Sequence, residues 1–563
     1  MNITATNLLL EFETAFSQQN WNKLLSLLNP TLFRPHETKY DLNKHRKFYD
    51  YTDCNKFNKL LTSRESITFS TLAKVAQILT TEDPVIPANI KVACLKCLGN
   101  SCFIRYIDKE YIPTNIEHGI YCQKLYSTLA TNNANLREVS DSYALVSHFP
   151  YDGVIEWTLN YIILCKNNED LSDEELEILR LSVQFLCNLF SFGYEDNSFS
   201  DQPNTPKCLY DANFKTAIIN LLHSKHVPLV RVSCAFIHNI LKKFEGKNFT
   251  EPEKIHLCSK LLKPVKEGFE SAKEALMFLL CQSNVLENAY SDMDIKDKLY
   301  LLEMIYTEIS EAVYKSKSEN VFTQDTIEFL SKRFCKRSDL ILKTADTYLD
   351  EIEPTEIIIL LDILGTLTSA SSKEYHFPKN HKSLLINCTN LLISIQMIGK
   401  ESNNYFTPMQ KLSDLVPVSQ RITEEDESKV NVAATKGNEK EVNSERNDLY
   451  SHPAFGFKAG LIRVIGNISY KNEECQDLLR EMDAIPLLLD CCNIDARNPL
   501  IMQWTILALR NLCENNTRNQ EIIRNCTRTG VVESSVLREM GMTLHEDEEG
   551  KKIGIVPLTP NKN

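Results

Sequence analysis

One stretch near the C-terminus decides the fold class: residues 501–523 read IMQWTILALRNLCENNTRNQEII. Apolar side chains recur at three- and four-residue spacing up to Cys513, which predicts a helix, and the polar run that follows predicts a turn. The apolar positions form two rows, so we expect the helix to be buried on two sides, as stacked helices are in a solenoid. The rows are Ile501, Trp504, Ala508 and Leu512, and Met502, Ile506, Leu509 and Cys513.

The same pattern occurs 44 residues earlier in the chain. Residues 465–479, IGNISYKNEECQDLL, align with residues 509–523, LRNLCENNTRNQEII, at matching aliphatic, Asn and Gln positions. An interval of roughly 40–47 residues is typical of armadillo and HEAT repeats. A shorter form of the motif, aliphatic-x-Asn, recurs at Asn100, Asn188 and Asn239, and its unequal intervals indicate that these repeats are degenerate or carry insertions. The predicted fold class is therefore all-α: an armadillo/HEAT-like α-solenoid of stacked helices, with a disordered linker before the C-terminal repeats.

The asparagine of the motif is the first candidate for a special role. Asn511 lies three residues after Ala508, on the packed side of its helix, where a side-chain amide must find hydrogen-bond partners. We expect those partners in an adjoining turn, and we expect the next helix to begin with a capping box from Thr517 to Gln520. The structural repeat asparagines predicted in this way are Asn467, Asn511, Asn188 and Asn239.

Arg510 is the candidate for partner binding. It shares a polar stripe with Gln503 and Glu514 on the outward side of the helix. Two interpretations are open: Arg510 contacts an acidic partner, or it only pairs with Glu514 four residues later.

Three short motifs carry a resemblance to a known family. They are LIRVIGN at 461–467, NIDARNP at 493–499, and QWTI at 503–506 followed by RNLCENN at 510–516. With them, the segment from about residue 455 to 540 resembles the C-terminal domain of the ataxin-10 family. The resemblance implies an armadillo-like solenoid, cytoplasmic protein–protein scaffolding and a link to cytokinesis, and it implies no catalytic residues.

Importin-type armadillo repeats differ from this chain at one position. They place Trp four residues before the repeat Asn, where this chain has Arg463 and Leu507. We therefore do not expect nuclear-signal peptides to bind along a ladder of Trp and Asn.

Composition narrows the class of protein. Only 16 of 563 residues are Gly, against a usual share of roughly 7%, and such scarcity disfavours phosphate-binding loops and tight hairpins. The net charge of −13 gives no global attraction to nucleic acid. The most apolar stretch, residues 356–367, contains Asp362 and is shorter than the ~20 residues of a membrane span, so we expect a cytoplasmic protein without membrane insertion.

Shifts in polarity predict four segments. Residues 1–400 form an N-terminal helical armadillo-like array, and residues 401–450 form a disordered charged linker. Residues 451–541 form a C-terminal domain of armadillo-like repeats, which the resemblance identifies as the ataxin-10 domain. Residues 542–563 are a tail in which apolar pieces on either side of residues 547–550 pair as a hairpin.

Metal binding is the alternative chemistry that the sequence leaves open. Cys94, Cys97 and Cys102 are weak candidate metal ligands, but a structural zinc site needs about four ligands, and no second CxxC or His pair accompanies them. Cys94 and Cys97 share the apolar face of a predicted helix, which favours buried free thiols for these residues and for the 18 cysteines in general.

Catalysis and nucleic-acid binding are both disfavoured. The nucleophile, nucleotide and zinc-protease motifs are missing from the sequence, so no catalytic residue and no cofactor is predicted. The run KRFCKR at 332–337 is basic, but Glu328 and Asp339 flank it, and a solvated helix face explains it better.

The function predicted from the sequence is a non-enzymatic scaffold or adaptor of the ataxin-10 type, linked to cytokinesis. The expected partners are other proteins, a second copy of the chain among them, and not nucleic acid. The alternative is a thiol-rich protein that handles copper or zinc.

Overall fold

The computed structural model describes residues 5–33, 69–110, 151–167, 170–193, 207–315, 322–345, 353–369, 382–401, 403–409, 452–493, 495–526, 542–546 and 553–557. Nearly all of the predicted linker, residues 402 and 410–450, lies outside these ranges. The chain divides into two compact units, Met1–Ala289 and Tyr290–Asn563. That division falls inside the predicted 1–400 array, and the four predicted segments stay predictions.

The described chain is almost entirely helical, which confirms the predicted all-α solenoid class. In chain order the first helices are α1 Ala5–Ser17, α2 Trp21–Leu27, α3 Phe69–Thr80, α4 Ala88–Glu110, α5 Asp152–Leu164, α6 Asp173–Asn188, α7 Ala212–Leu221, α8 Val227–Lys243, α9 Glu251–Lys266, α10 Glu270–Leu280 and α11 Val285–Asp292. Then follow α12 Ile295–Lys315, α13 Gln324–Arg337, α14 Glu353–Ser369, α15 Lys382–Glu401, α16 Phe457–Ser469, α17 Glu473–Glu481, α18 Ala484–Asp490, α19 Ile501–Cys513 and α20 Thr517–Asn525.

Capping and burial explain why these segments are helices. At the start of α6 the hydroxyl of Ser172 accepts from the N–H of Glu175 at 3.3 Å, and the carboxylate of Glu175 accepts from the N–H of Ser172 at 2.8 Å. This reciprocal pair satisfies two backbone donors that a helix start leaves unpaired. Aliphatic and aromatic side chains such as Leu179, Val183 and Leu186 then bury one side of α6.

Within each unit, helices stack in succession. In the first unit α4 packs on α6, α6 on α8 and α8 on α10. In the second unit α12 packs on α14, α14 on α16 and α16 on α19. Since each helix of these stacks buries its apolar side chains against the previous and the next, each unit is built from helical repeats.

Two strands form a hairpin, which is the only β-structure among the described residues. Strand β1, Met542–Glu546, pairs antiparallel with β2, Ile553–Pro557, with Leu544 opposite Ile555. The hairpin expected in the tail is therefore present. None of the described helices is both long and apolar enough to cross a membrane.

Candidate functional site: repeat asparagines and the surface of the last repeats

Asparagine side chains join successive helices of the first unit. The Nδ2 group of Asn188, on α6, donates to the carbonyl of Gly99 on α4 at 3.0 Å. Asn239, on α8, donates to the hydroxyl of Ser191 at 2.7 Å and to Sγ of Cys187 at 3.3 Å, both in or directly after α6. Each bond therefore crosses from one helix of the stack to the previous one.

The second unit contains the same arrangement. Asn467, on α16, donates to the carbonyl of Gly365 on α14 at 3.3 Å. Asn511, on α19, is 6% exposed and donates to the carbonyl of Gly466 on α16 at 2.9 Å. The partner of each repeat asparagine is thus a group on the neighbouring helix.

The acceptor position is itself repeated. Gly99 and Gly466 directly precede Asn100 and Asn467 in the sequence. Asn188 therefore bonds to the residue before Asn100, and Asn511 bonds to the residue before Asn467. Gly365 occupies the same position, and Thr366 stands where an asparagine would. This repeat has no Asn, so the motif aliphatic-x-Asn does not mark it. An aliphatic residue and Gly followed by a polar residue is the signal that identifies it in the sequence, as in Leu364-Gly365-Thr366 and Ile465-Gly466-Asn467.

The turn after α19 is held by a residue of the previous repeat. Nε2 of Gln476 donates to the carbonyls of Asn511 at 2.9 Å and Glu514 at 3.3 Å, and also to that of Ser469 at 3.2 Å. We expected the amide of Asn511 to bond to the adjoining turn, but that amide bonds to helix α16, and Gln476 holds the turn.

The start of the next helix also differs from the prediction. Asn516 is the N-cap of α20, and its Oδ1 accepts from the N–H of Asn519 at 3.1 Å. The expected capping box from Thr517 to Gln520 is therefore wrong, since Thr517 already lies inside the helix. Asn472 caps α17 in the same way, accepting from the N–H of Cys475, so the cap repeats at the interval of 44 residues.

Backbone conformation follows the same interval. Gly456 and Leu500, 44 residues apart, precede α16 and α19 with φ values of 74° and 62°. Lys471 and Asn515, also 44 apart, follow the same helices with φ values of 52° and 59°. The interval found in the sequence is thus an interval of conformation and of hydrogen bonding.

Arg510 lies on the outside of α19. It is exposed, and within the described residues it forms neither an ion pair with Glu514 nor any other polar contact. The side chain is therefore available to a partner.

The two apolar rows of α19 have different surroundings. Ile501, Ala508 and Leu512 of the first row are buried, as expected. In the second row, the side chain of Ile506 is 59% exposed to solvent and that of Met502 is 36% exposed. The expectation of burial on both sides is therefore wrong for α19: one side packs on α16, and no described helix stacks on the other.

Arg463 takes the position that Trp has in importin-type repeats. Its guanidinium carbon lies 5.4 Å from the centre of the Trp504 ring, and Nη2 donates to the hydroxyl of Tyr314 at 3.0 Å. Asp362 lies close by: burial raises the pKa of its carboxyl, and the charge of Arg463 opposes that rise. A cation–π pair occupies this edge of the stack in place of a Trp–Asn ladder.

The NIDARNP turn is a buried polar network. Arg497 is 9% exposed, and one of its guanidinium nitrogens donates to the carbonyl of Thr407 at 2.8 Å. Oδ1 of Asn498 accepts from the N–H of Lys458 at 3.0 Å, at the start of α16. Oδ1 of Asp495 accepts from the N–H of Met409 at 3.1 Å. The turn therefore fixes residues 403–409 and the first turn of α16, and it is a structural element.

The candidate metal ligands are buried in α4. Cys94, Cys97 and Cys102 are free thiols, and burial raises the pKa of Cys94 and Cys97 well above the usual value for a thiol. Sγ of Cys102 donates to the carbonyl of Leu98 at 3.4 Å. The described residues contain no group of three or more His, Cys, Asp or Glu side chains placed to hold a metal ion.

Stacked helical repeats joined by side-chain amides, with exposed charged and apolar side chains on the last of them, define an armadillo-like helical-repeat protein. Residues 457–554 match the family model described as the spinocerebellar ataxia type 10 protein domain. The chain is similar to proteins of the ataxin-10 family, through this C-terminal match and through relatives aligned over much of its length.

Three relatives show the extent of the similarity. Ataxin-10 of Xenopus tropicalis is 28% identical over 421 residues, covering 70% of this chain and 78% of that protein. Ataxin-10 of Homo sapiens is 28% identical over 399 residues, covering 70% and 74%. The ataxin-10 homolog of Dictyostelium discoideum is 40% identical over 109 residues, covering 19% of this chain and 18% of that protein. The similarity therefore extends well beyond the C-terminal repeats.

Proposed function

We propose that this chain is a non-enzymatic protein–protein interaction scaffold that acts in the cytoplasm and takes part in cytokinesis. Similarity to the ataxin-10 family supports the scaffold class. The observation that carries the proposal is the outer surface of α19, where Arg510 has no intramolecular partner among the described residues and Ile506 is 59% exposed.

The chemistry of this surface indicates the kind of partner. A guanidinium donates several N–H groups in a fixed geometry that suits a carboxylate, and a neighbouring aliphatic side chain adds apolar contact. We therefore propose that Arg510 and Ile506 bind an acidic segment of a partner protein, and that Asn188, Asn239, Asn467 and Asn511 have the structural role of joining repeats.

Proximity labelling in cells tests the surface. Arg510→Glu is compared with the wild type and with Arg231→Glu, a control that makes the same charge change at an exposed position of α8. We expect Arg510→Glu alone to lose a subset of labelled proteins. If Arg510→Glu and the wild type label the same proteins, Arg510 has only a structural role.

Purification tests the scaffold function itself. We expect the native protein to bring down a partner in stoichiometric amount, and we expect removal of residues 451–541 to produce a division defect. The scaffold proposal fails if no such partner is found and cells lacking residues 451–541 grow and divide normally.

A further inference from the structure

The basic run at 332–337 divides into two sides in the structure. Arg333 and Arg337 point inward to Glu356, which is fully buried: Nε of Arg333 lies 2.7 Å from Oε1, and Nε of Arg337 lies 3.5 Å from Oε2. The phenol of Tyr290 donates to the same carboxylate at 2.8 Å. Both arginines are partly buried, and their guanidinium groups are directed at Glu356 and not at an external ligand.

The two lysines of the run line a cleft on the other side of α13. The cleft has a volume of about 370 Å³ and is lined by Glu328, Ser331, Lys332, Cys335, Lys336 and, from the first turn of α15, Ser383. Asn387 fixes its width, because its Nδ2 donates to the carbonyl of Cys335 at 3.3 Å and its Oδ1 accepts from the hydroxyl of Ser338 at 3.0 Å.

The polar groups of the cleft are suited to an anion. Ser331 is 2% exposed, yet its hydroxyl makes no hydrogen bond within the described residues. Lys336 forms no ion pair with any described residue, and Lys332 lies 2.8 Å from Glu328 at an exposed position. The first turn of α15 adds Ser383 and lies at the start of a helix, where an anion is favoured.

We propose that this cleft binds a single phosphoryl group, carried by a phosphoserine or phosphothreonine of a partner protein. Two ammonium groups, two hydroxyls and a helix N-terminus supply donors on several sides of a tetrahedral dianion. The inference that the phosphoryl group belongs to a partner protein rests on the scaffold function proposed above. The inference that the cleft binds a phosphoryl group does not.

The charges around the cleft favour one phosphate over a polyanion. Glu328 and Asp339 flank the lysines, and Lys382 is paired with Glu474 at 3.1 Å, so little positive charge extends beyond the cleft itself. A nucleic acid gains affinity from many phosphate contacts along its length, and the inward-facing arginines remove two of the charges that could supply them. The volume of the cleft also suits one phosphorylated side chain.

Titration of the full-length protein with a defined probe tests the site. The probe is the acetylated pentapeptide amide Ala-Ala-phosphoserine-Ala-Ala, followed by the width of its ³¹P NMR signal, with the unphosphorylated peptide as reference. Lys332→Ala/Lys336→Ala should weaken binding about twentyfold, since one surface ion pair contributes up to roughly fivefold. Lys296→Ala, at an exposed position of α12, is the matched control and should bind as the wild type does.

Ser383→Phe separates a local site from general charge, because it obstructs the cleft without changing the net charge; it should weaken binding at least as much as the double lysine variant does. The proposal is overturned if the unphosphorylated peptide binds equally, or if the double lysine variant binds like Lys296→Ala. If inorganic phosphate competes with the probe as well as the phosphopeptide itself does, the ligand is not a phosphorylated protein. If a 12-nucleotide RNA competes more strongly at equal phosphate concentration, the cleft favours a polyanion and the proposal is overturned. The Arg510→Glu protein should bind the probe normally, so failure of this site and failure of the scaffold surface are distinguishable.

Discussion

Replacing Gly466 by Ala tests how closely α16 and α19 pack. A Cβ atom at position 466 would lie 2.9 Å from both Cα and Cβ of Ala508, closer than real Cβ atoms approach such neighbours. Since one of these atoms belongs to the backbone, the helices must move apart to admit the methyl group. The carbonyl of Gly466 also accepts from Asn511, so the movement strains the hydrogen bond between the repeats.

Two opposing terms set the size of the effect. Overpacking costs about 1–3 kcal/mol, and the upper part of that range applies where backbone must shift. Replacing Gly by Ala inside a helix contributes about 1 kcal/mol in the other direction. We therefore expect Gly466→Ala to lower the free energy of unfolding by about 1–2 kcal/mol.

Gly99→Ala is the matched control with the opposite expected sign. Gly99 has the same position in its repeat, and its carbonyl accepts from Asn188, but an added Cβ would meet Nδ2 of Asn188 at an ordinary 3.7 Å. The helix term then dominates, and we expect stabilisation of up to about 1 kcal/mol.

Hydrogen exchange read by mass spectrometry can follow both changes in the full chain. In Gly466→Ala, peptides from residues 457–469 and 501–513 should exchange faster than in the wild type, and in Gly99→Ala, peptides from residues 88–102 should exchange more slowly. Thermal denaturation gives the net effect. If both variants shift in the same direction, or if exchange slows in Gly466→Ala, the close packing inferred at Ala508 is wrong.

Three further substitutions test other features. Leu500→Gly should raise stability by about 0.5–1 kcal/mol in a thermal melt, because Leu500 has a φ of 62° and is 60% exposed, so Gly removes strain and little burial; a lower midpoint would contradict this. Glu356→Gln should cost about 3 kcal/mol in urea denaturation, since the partly buried charge of Arg333 would face a neutral amide, whereas Glu328→Gln at the surface should cost under about 0.5 kcal/mol. Burial lowers the pKa of His452 from 6.5 to about 4, so the stability tied to its neutral form is complete above pH 6.5 and is lost as the pH falls toward 4; His452→Gln should reduce the fall in melting temperature between pH 7 and pH 5, and an unchanged fall would refute it.

Local patterns predicted the fold class and the positions of the repeats. Helical spacing of apolar residues and the interval of 44 residues are properties of the chain that do not depend on how distant segments meet. The acceptor for Asn511 could not be found in the same way, because Gly466 is 45 residues away and its carbonyl is brought into range only when α16 and α19 stack. The role of Gln476 in the following turn depends on the same stacking.

Two apolar rows on a helix predict that both sides can pack, but they do not say how far a stack continues. That is why the exposure of Ile506 was missed while the burial of Leu512 was predicted.

The basic run at 332–337 shows a similar limit. Its lysines and arginines both recur at a spacing of four, and only the position of Glu356, 23 residues beyond Arg333, decides which pair turns inward.

The residues that carry the family resemblance and those that could bind partners are different sets. Asp495, Arg497 and Asn498 of the NIDARNP turn, and Asn511 of the repeat, are at most 9% exposed and bond to the backbone of neighbouring segments. The groups we assign to partner binding, Arg510 on α19 and the lysine cleft on α13, are exposed, and their removal leaves those bonds intact. A match to these buried motifs therefore predicts the fold and the way repeats join, whereas partners depend on surface residues that can change without disturbing either.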